Sequence, residues 1–309
     1  LNWTFQLSMK RCRALCHGLL QFPCGEGSLV LGRDLTFMTP SNDIYQDPPV
    51  LRKQLDEAGF LYFRRMIPQE SLHRVSKIAD DYLQSLEHLS PENRASRKVL
   101  HREDIEESEK TIMEVACGTK VMSIVNRIFG GEVKRYDYVS LDVSPKDQKH
   151  GFCMDSVYME KGTKLFLSAW VPLSDVTLSN GPIVLSRGSS SHPNTNSLRN
   201  SYGKYDAYSR AVEGNGIFSH NPKDVTRFGS GLVTASFLRG DIVIFGGYTM
   251  RGFLTNTMNV PRLSVESKWC LKEDDIGPDP RYCGHELPEL APEQRRASMT
   301  LGEARATIW

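Results

Sequence analysis

Between Glu132 and Cys270 the chain is cut into short apolar or alternating runs separated by turn residues, and this texture restricts the fold more than any other feature. Runs of this length match strands, whose side chains alternate between two faces, and are too short for ordinary amphipathic helices. The pattern predicts strands over 133–143, 151–159, 164–171, 182–186, 232–237, 241–246, 249–256 and 262–270. Strands so spaced suit a jelly roll. Upstream the periodicity is helical: 49–58 carries apolar residues at helical spacing and stops at Gly59, and 68–89 places Leu72, Val75, Ile78, Ala79, Tyr82, Leu83 and Leu86 on one face. A run over 108–129 reads as one or two helices broken at Gly118 and ended by Gly130-Gly131, and 60–63 reads as a strand. The expectation is a mostly β fold with flanking α-helices, a double-stranded β-helix (jelly roll, cupin-like), with the helices outside a sheet.

No linker divides the chain into two cores, so a single domain is expected over 36–309, preceded by a poorly structured leader over 1–35. The polar stretch 188–231 is too long for an ordinary connection and reads as a lid, with Tyr202, Tyr205, Tyr208, Ile217 and Phe218 available to dock it. A final surface helix is expected over 292–309, with Pro292 near its start.

Lys plus Arg (38) nearly cancels Asp plus Glu (37), so charge offers no case for nucleic acid or an anionic membrane. No apolar run approaches the ~20 residues of a membrane span. Seven scattered cysteines without framework spacing fit a reducing compartment, so an intracellular, cytoplasmic location is expected; the basic start of 9–22 leaves organelle targeting open. Cys12, Cys16, His17 and Cys24 lack the paired spacing of a zinc site.

The chemistry is carried by two stretches. The first is FCMDSVYMEKGT (152–163), followed by Trp170-Val171-Pro172-Leu173 and Asn180-Gly181-Pro182; the second runs from Gly240-Asp241 through Tyr248-Thr249-Met250 and Leu254-Thr255-Asn256 to Arg262-Leu263-Ser264. With the opening PSNDIYQDPPVLRKQLDEAGFLYFR and the later Asp279-Pro280-Arg281 and Gly284, these segments resemble, in order and spacing, the phytanoyl-CoA dioxygenase family of Fe(II)/2-oxoglutarate oxygenases from about Pro40 onward. Such enzymes hold iron between two imidazoles and a carboxylate, leaving positions for a bidentate keto acid and dioxygen.

Carried over position by position, the resemblance places Asp155 on the metal carboxylate and Arg262, with Ser264 beside it, on the 2-oxoglutarate anchor. Cys153 and Arg251 stand where the two histidine ligands belong. A guanidinium has no lone pair to donate and stays protonated, so Arg251 cannot ligate a metal; it can pair with Asp155 instead. The expected protein is therefore similar to a hydroxylase of a small organic or lipid-like substrate, but with a degenerate iron site, acting by binding a small molecule or dicarboxylate, or a protein partner. The alternative is an active non-haem iron dioxygenase with an unusual ligand set such as Cys153, Asp155 and His192 or His220. His150 is expected on the opposite strand face from 153 and 155.

Overall fold

The computed structural model describes residues 20–86, 96–101, 107–209 and 216–283, together with residue 304. In chain order its elements are β1 (Gln21–Cys24), β2 (Gly27–Val30), β3 (Leu35–Phe37), α1 (Pro48–Ala58), β4 (Phe60–Phe63), α2 (Gln69–Leu86), β5 (Ser96–His101), α3 (Glu107–Cys117) and α4 (Thr119–Phe129). There follow β6 (Val133–Ser144), β7 (Phe166–Pro172), β8 (Ile183–Ser186), α5 (Asn196–Asn200), α6 (Lys223–Thr226), β9 (Leu232–Thr234), β10 (Ile242–Gly246), β11 (Arg251–Phe253) and β12 (Arg262–Leu271). A six-stranded sheet has the order β4-β10-β7-β12-β6-β5, and a four-stranded sheet the order β11-β8-β9-β3; they do not close into a barrel. Every pair in the large sheet is antiparallel, and β3 alone lies parallel to its neighbour β9 in the small one.

The helices form because local signals agree with their burial. Asp47 caps α1 by accepting from the Val50 N–H at 3.2 Å, prolines occupy its first turn, and Gly59 ends it at φ 84°, donating to the Leu55 carbonyl at 2.7 Å. In α4, Val121, Ile124, Val125 and Ile128 are buried at the three-and-four spacing of one helical face, each worth roughly 1.5–3 kcal/mol. That face meets Val139, Leu141, Val143, Leu167, Ala169, Val171, Leu263 and Val265 in one apolar cluster, so the helices do cover the outer face of the large sheet. The inner face turns Trp170, Val243 and Phe245 toward Ile183, Leu185 and Val233 of the small sheet.

Several boundaries differ from expectation. Residues 21–30, assigned to a poorly structured leader, form the β1–β2 hairpin, and Cys24 and Leu29 are core residues; residues 1–19 lie outside the described residues, as do the expected helix over 292–303 and 305–309. The expected strand 151–159 is reduced to single bridges at Phe152 and Cys153, after which 155–157 turns as a 3-10 helix. Strand 249–256 shortens to β11, because Leu254 and Thr255 donate outside the sheet, to the Pro182 and Pro23 carbonyls. In 188–231, Leu198, Tyr202, Phe218 and Val225 are buried against Phe152, Met154 and Val157, so the described part of this segment packs as a wall. Among the described residues no helix is long and apolar enough to cross a membrane.

Candidate functional site

Strand β12 is buried along almost its whole length, yet every second residue from Arg262 is polar: Arg262, Ser264, Glu266 and Lys268. Side chains two apart on a strand share a face. Leu263, Val265 and Trp269 turn to the helices, and the polar set turns inward between the sheets.

At the end of that row lies a cluster of four buried charges. The Arg251 Nε donates to Asp155 Oδ1 at 2.7 Å, and the Lys268 ammonium donates to Asp155 Oδ2. Lys268 also donates to Ser168 Oγ at 2.8 Å and Glu266 Oε1 at 2.7 Å, and Arg251 Nη2 lies 3.8 Å from the same Glu266 oxygen. The Ser168 hydroxyl adds a hydrogen bond to Asp155 Oδ2 at 2.6 Å. All three ammonium protons of Lys268 are used, so it is a fully satisfied buried cation. Side-chain exposure is 9% for Arg251, 1% for Asp155, 4% for Lys268 and 7% for Glu266. An isolated charge at such depth would be very costly; two cations against two carboxylates are tolerable because they cancel. Burial alone would raise the Asp155 pKa, but the charges of Arg251 and Lys268 outweigh it and hold the carboxyl well below the usual range. Burial likewise opposes the charge on Arg251, and Asp155 and Glu266 overcome it, raising its pKa.

Arg251 is also pinned through its backbone. It exchanges two N–H to carbonyl hydrogen bonds with Cys153, both at 2.9 Å, which sets the two residues directly opposite one another.

Further along β12, Arg262 is 1% exposed. Its Nη1 donates to the Gly181 carbonyl, and the Phe253 ring lies 4.0 Å from the guanidinium carbon. Gly181 is suited to this approach: its φ is +73°, and a Cβ there would meet the Leu254 carbonyl at 2.6 Å. The Nε and Nη2 of Arg262 are buried without a hydrogen-bond partner, as is the Ser264 hydroxyl. Those two nitrogens form one edge of the guanidinium, the pair of parallel donors that grips a carboxylate. Burial pushes the Arg262 pKa down to about 10, with Asp142 opposing the shift and Arg251 adding to it.

The structure thus brings Cys153, Asp155 and Arg251 together, and places Arg262 and Ser264 on the strand that also supplies Lys268. Of the candidate histidines, His192 is exposed and bonded to Asn194, His150 bonds the Ser144 hydroxyl at 3.0 Å, and the His220 ring lies beside Gly151. Among the described residues, no group of three or more His, Cys, Asp or Glu could hold a metal ion. Lys268 and Glu266 were not among the expected site residues; the signal for them was the polar alternation Arg-Leu-Ser-Val-Glu-Ser-Lys in an otherwise apolar strand. Two surface clefts of about 330 Å³, one beside Phe60 and Arg187 and one beside His73 and Arg239, have none of these residues in their walls.

Facing sheets with an inward carboxylate and an arginine on the central strand define a jelly-roll protein of the kind found among 2-oxoglutarate oxygenases. The chain belongs to the phytanoyl-CoA dioxygenase (PhyH) family, whose profile matches residues 55–263, more than half its length. Among solved structures it is similar to the epimerase SnoN in complex with Fe3+, alpha ketoglutarate and nogalamycin RO, at 16% identity and TM-score 0.53 over 80% of this chain and 95% of that one. It is similar also to EctD from S. alaskensis with 2-oxoglutarate and 5-hydroxyectoine, at 15% identity and TM-score 0.52 over 93% of this chain and 98% of that one. Identities this low establish a shared fold alone. No curated protein sequence matches the chain.

Proposed function

We propose that this chain is a PhyH-family protein that has given up iron-dependent oxygen chemistry and acts by binding a ligand in the old pocket. The observation carrying this reading is that both Asp155 oxygens are engaged by cations, Arg251 on one and Lys268 on the other. Iron does not fit this donor set. A divalent ion would have to displace an ammonium and a guanidinium from Asp155, and among the described residues no group of three or more His, Cys, Asp or Glu could hold it. Loss of even an outer partner typically costs ~10–100-fold in metal affinity, and here the inner ligands themselves are changed.

The carboxylate-binding half of the site fits better. Arg262 retains an unpaired bidentate edge, with the Ser264 hydroxyl two residues along the same face. Iron bound to a keto acid supplies Lewis-acid and redox chemistry in relatives of this fold; the residues here support binding and orientation of an anion without it. The competing arrangement of Cys153, Asp155 and His192 or His220 has less support, since His192 is exposed and tied to Asn194 and, among the described residues, no group of three or more His, Cys, Asp or Glu could hold a metal ion.

The test is an anaerobic Fe(II) titration of the full chain with 2-oxoglutarate, followed by addition of oxygen and assay of succinate. The expected result is no metal-to-keto-acid charge-transfer band and no succinate. A band with steady succinate production would overturn the proposal.

A further inference from the structure

Outside the interior, the surface cleft of about 330 Å³ beside His73 is walled by two arginines, Arg65 and Arg239, and the His73 imidazole, against one acidic side chain, Asp175; Leu72 and Leu238 give it an apolar part. The arginines stand on different turns, one after β4 and one before β10, and a buried carboxylate holds those turns together. Asp241 Oδ1 accepts from the Arg65 N–H at 2.9 Å, and Oδ2 accepts from the Leu238 N–H at 3.0 Å and the Tyr62 hydroxyl at 2.8 Å. The Met66 N–H donates to the Gly240 carbonyl at 2.8 Å, a second tie between the same turns. Arg64 Nε lies 3.9 Å from Asp241, so that acid faces a cation of its own. Arg239 is oriented in turn: its N–H donates to Asp175 Oδ1 at 3.0 Å and its Nη1 to the Ser76 hydroxyl, which itself donates to the Leu72 carbonyl at 2.6 Å.

The Arg65 backbone sits at φ +53°, a region that residues other than glycine enter rarely and at a cost. Such a conformation persists where its surroundings over-determine it, as the bonds to Asp241 and Gly240 do here. Among the described residues the Arg65 guanidinium makes no hydrogen bond or ion pair, and neither do the Gln69 amide and the His73 ring that share the cleft. The fold therefore fixes the base of a long cation at a cleft where no described side chain pairs with its charge.

We propose that this cleft binds the phosphate head of a small phosphomonoester, gripped by Arg65 and Arg239 with Gln69 and His73 as further donors. A planar guanidinium meets two phosphate oxygens at once, which suits it to this head group. Asp175 opposes an anion least where it stands, since it already accepts from the Arg239 N–H and lies 3.9 Å from Arg239 Nε. The cleft volume falls at the low end of the ~300–1,000 Å³ range of small-molecule pockets, which leaves room beyond the phosphate for a short organic remainder against Leu72 and Leu238. None of the interior charges lines this cleft, so the inference stands whether or not the chain binds iron.

The experiment is isothermal titration of the full chain, in a phosphate-free buffer of low ionic strength, with glycerol 3-phosphate, inorganic phosphate and glycerol. Glycerol 3-phosphate is expected to bind one site per chain, inorganic phosphate more weakly and glycerol not at all. Affinity should fall as sodium chloride is added, because charges at an open cleft are screened. The variant Arg65→Gly removes the guanidinium and suits the backbone at that position. Its melting temperature should stay close to that of the unsubstituted chain while glycerol 3-phosphate weakens by about tenfold or more. Arg239→Gln, at an unstrained position, should lose a similar factor and serves if Arg65→Gly does not fold. No glycerol 3-phosphate binding by the folded chain, or undiminished binding by either folded variant, would overturn the inference. Inorganic phosphate binding as tightly as the ester would overturn the assignment of an ester, and salt-insensitive binding would overturn the role of the arginines.

Discussion

The ammonium of Lys268 and the carboxylate of Asp155, 113 residues apart in sequence, are hydrogen-bonded directly inside the jelly roll. Removing one member of a buried pair strands the other, typically at a cost of ~3–5 kcal/mol. Lys268→Met should therefore destabilise the fold by about that amount in urea denaturation. Adding Glu266→Gln restores neutrality, so the double variant should be more stable than the sum of the two single changes allows. Simple additivity would mean the four side chains do not act as one cluster.

Acid should act through Asp155. Its folded-state pKa lies below the unfolded value of about 3.9. Stability contributed by the carboxylate is thus complete above that value and is lost as pH falls toward the folded pKa. The urea midpoint should drop as pH is lowered through about 4, and drop less steeply in the charge-neutral pair Asp155→Asn with Lys268→Gln. A residual slope should remain from Asp279, which burial would raise but Arg281 holds low. Parallel slopes in the two proteins would show that Asp155 is not the titrating group.

Building a metal site here should require more than histidines at positions 153 and 251. Cys153→His with Arg251→His leaves the Lys268 ammonium on Asp155, so equilibrium dialysis should find little gain in Fe(II) or Mn(II) binding. Adding Lys268→Ser should free the carboxylate and raise affinity by well over the roughly tenfold effect of an outer partner. Strong binding by the double variant would mean that the lysine yields readily to a metal.

Arg262 should be a stability liability in the absence of ligand. Its unpaired Nε and Nη2 are buried, and replacing a poorly compensated buried charge with an apolar side chain of similar length is often neutral or stabilising. Arg262→Met should leave the ligand-free melting temperature unchanged or higher, offset in part by loss of the stack on Phe253. A loss of several degrees would indicate a structural role for the arginine.

Thiol reactivity should follow burial. Burial pushes Cys24 up to about 12 and, with Asp274 adding, Cys270 up to about 11, while Cys153 is 4% exposed and Cys283 is exposed. Iodoacetamide near pH 8 should label Cys283 well before these three, as read by peptide mass spectrometry, because the thiolate is the reactive form. Early labelling of Cys153 would mean that the interior around it opens readily to solvent.

Much of the architecture was legible because it follows from short-range patterns. Short apolar or alternating runs located β6, β7, β8, β10 and β12, and helical spacing with Gly59, Gly118 and Gly130 located α1, α3 and α4. The hairpin at 21–30 and strand β5 were missed, since neither carries a strong alternation and both depend on pairing partners for their strand geometry. The sequence allowed Arg251 to pair with Asp155, and the two are hydrogen-bonded, with Cys153 directly opposite Arg251.

What the sequence determined by itself was which residue types stand at the site: a carboxylate with a cysteine two residues before it, an arginine far along the chain, and a second arginine with serine on a later strand. Tertiary structure alone decided their electrostatics. A strand pattern says which face Glu266 and Lys268 share, but not what lies across from that face. Only the pairing of β12 with β7 sets Lys268 opposite Ser168 and within reach of Asp155. Long-range contact, not local preference, therefore fixes both the neutrality of the cluster and the unpaired edge of Arg262.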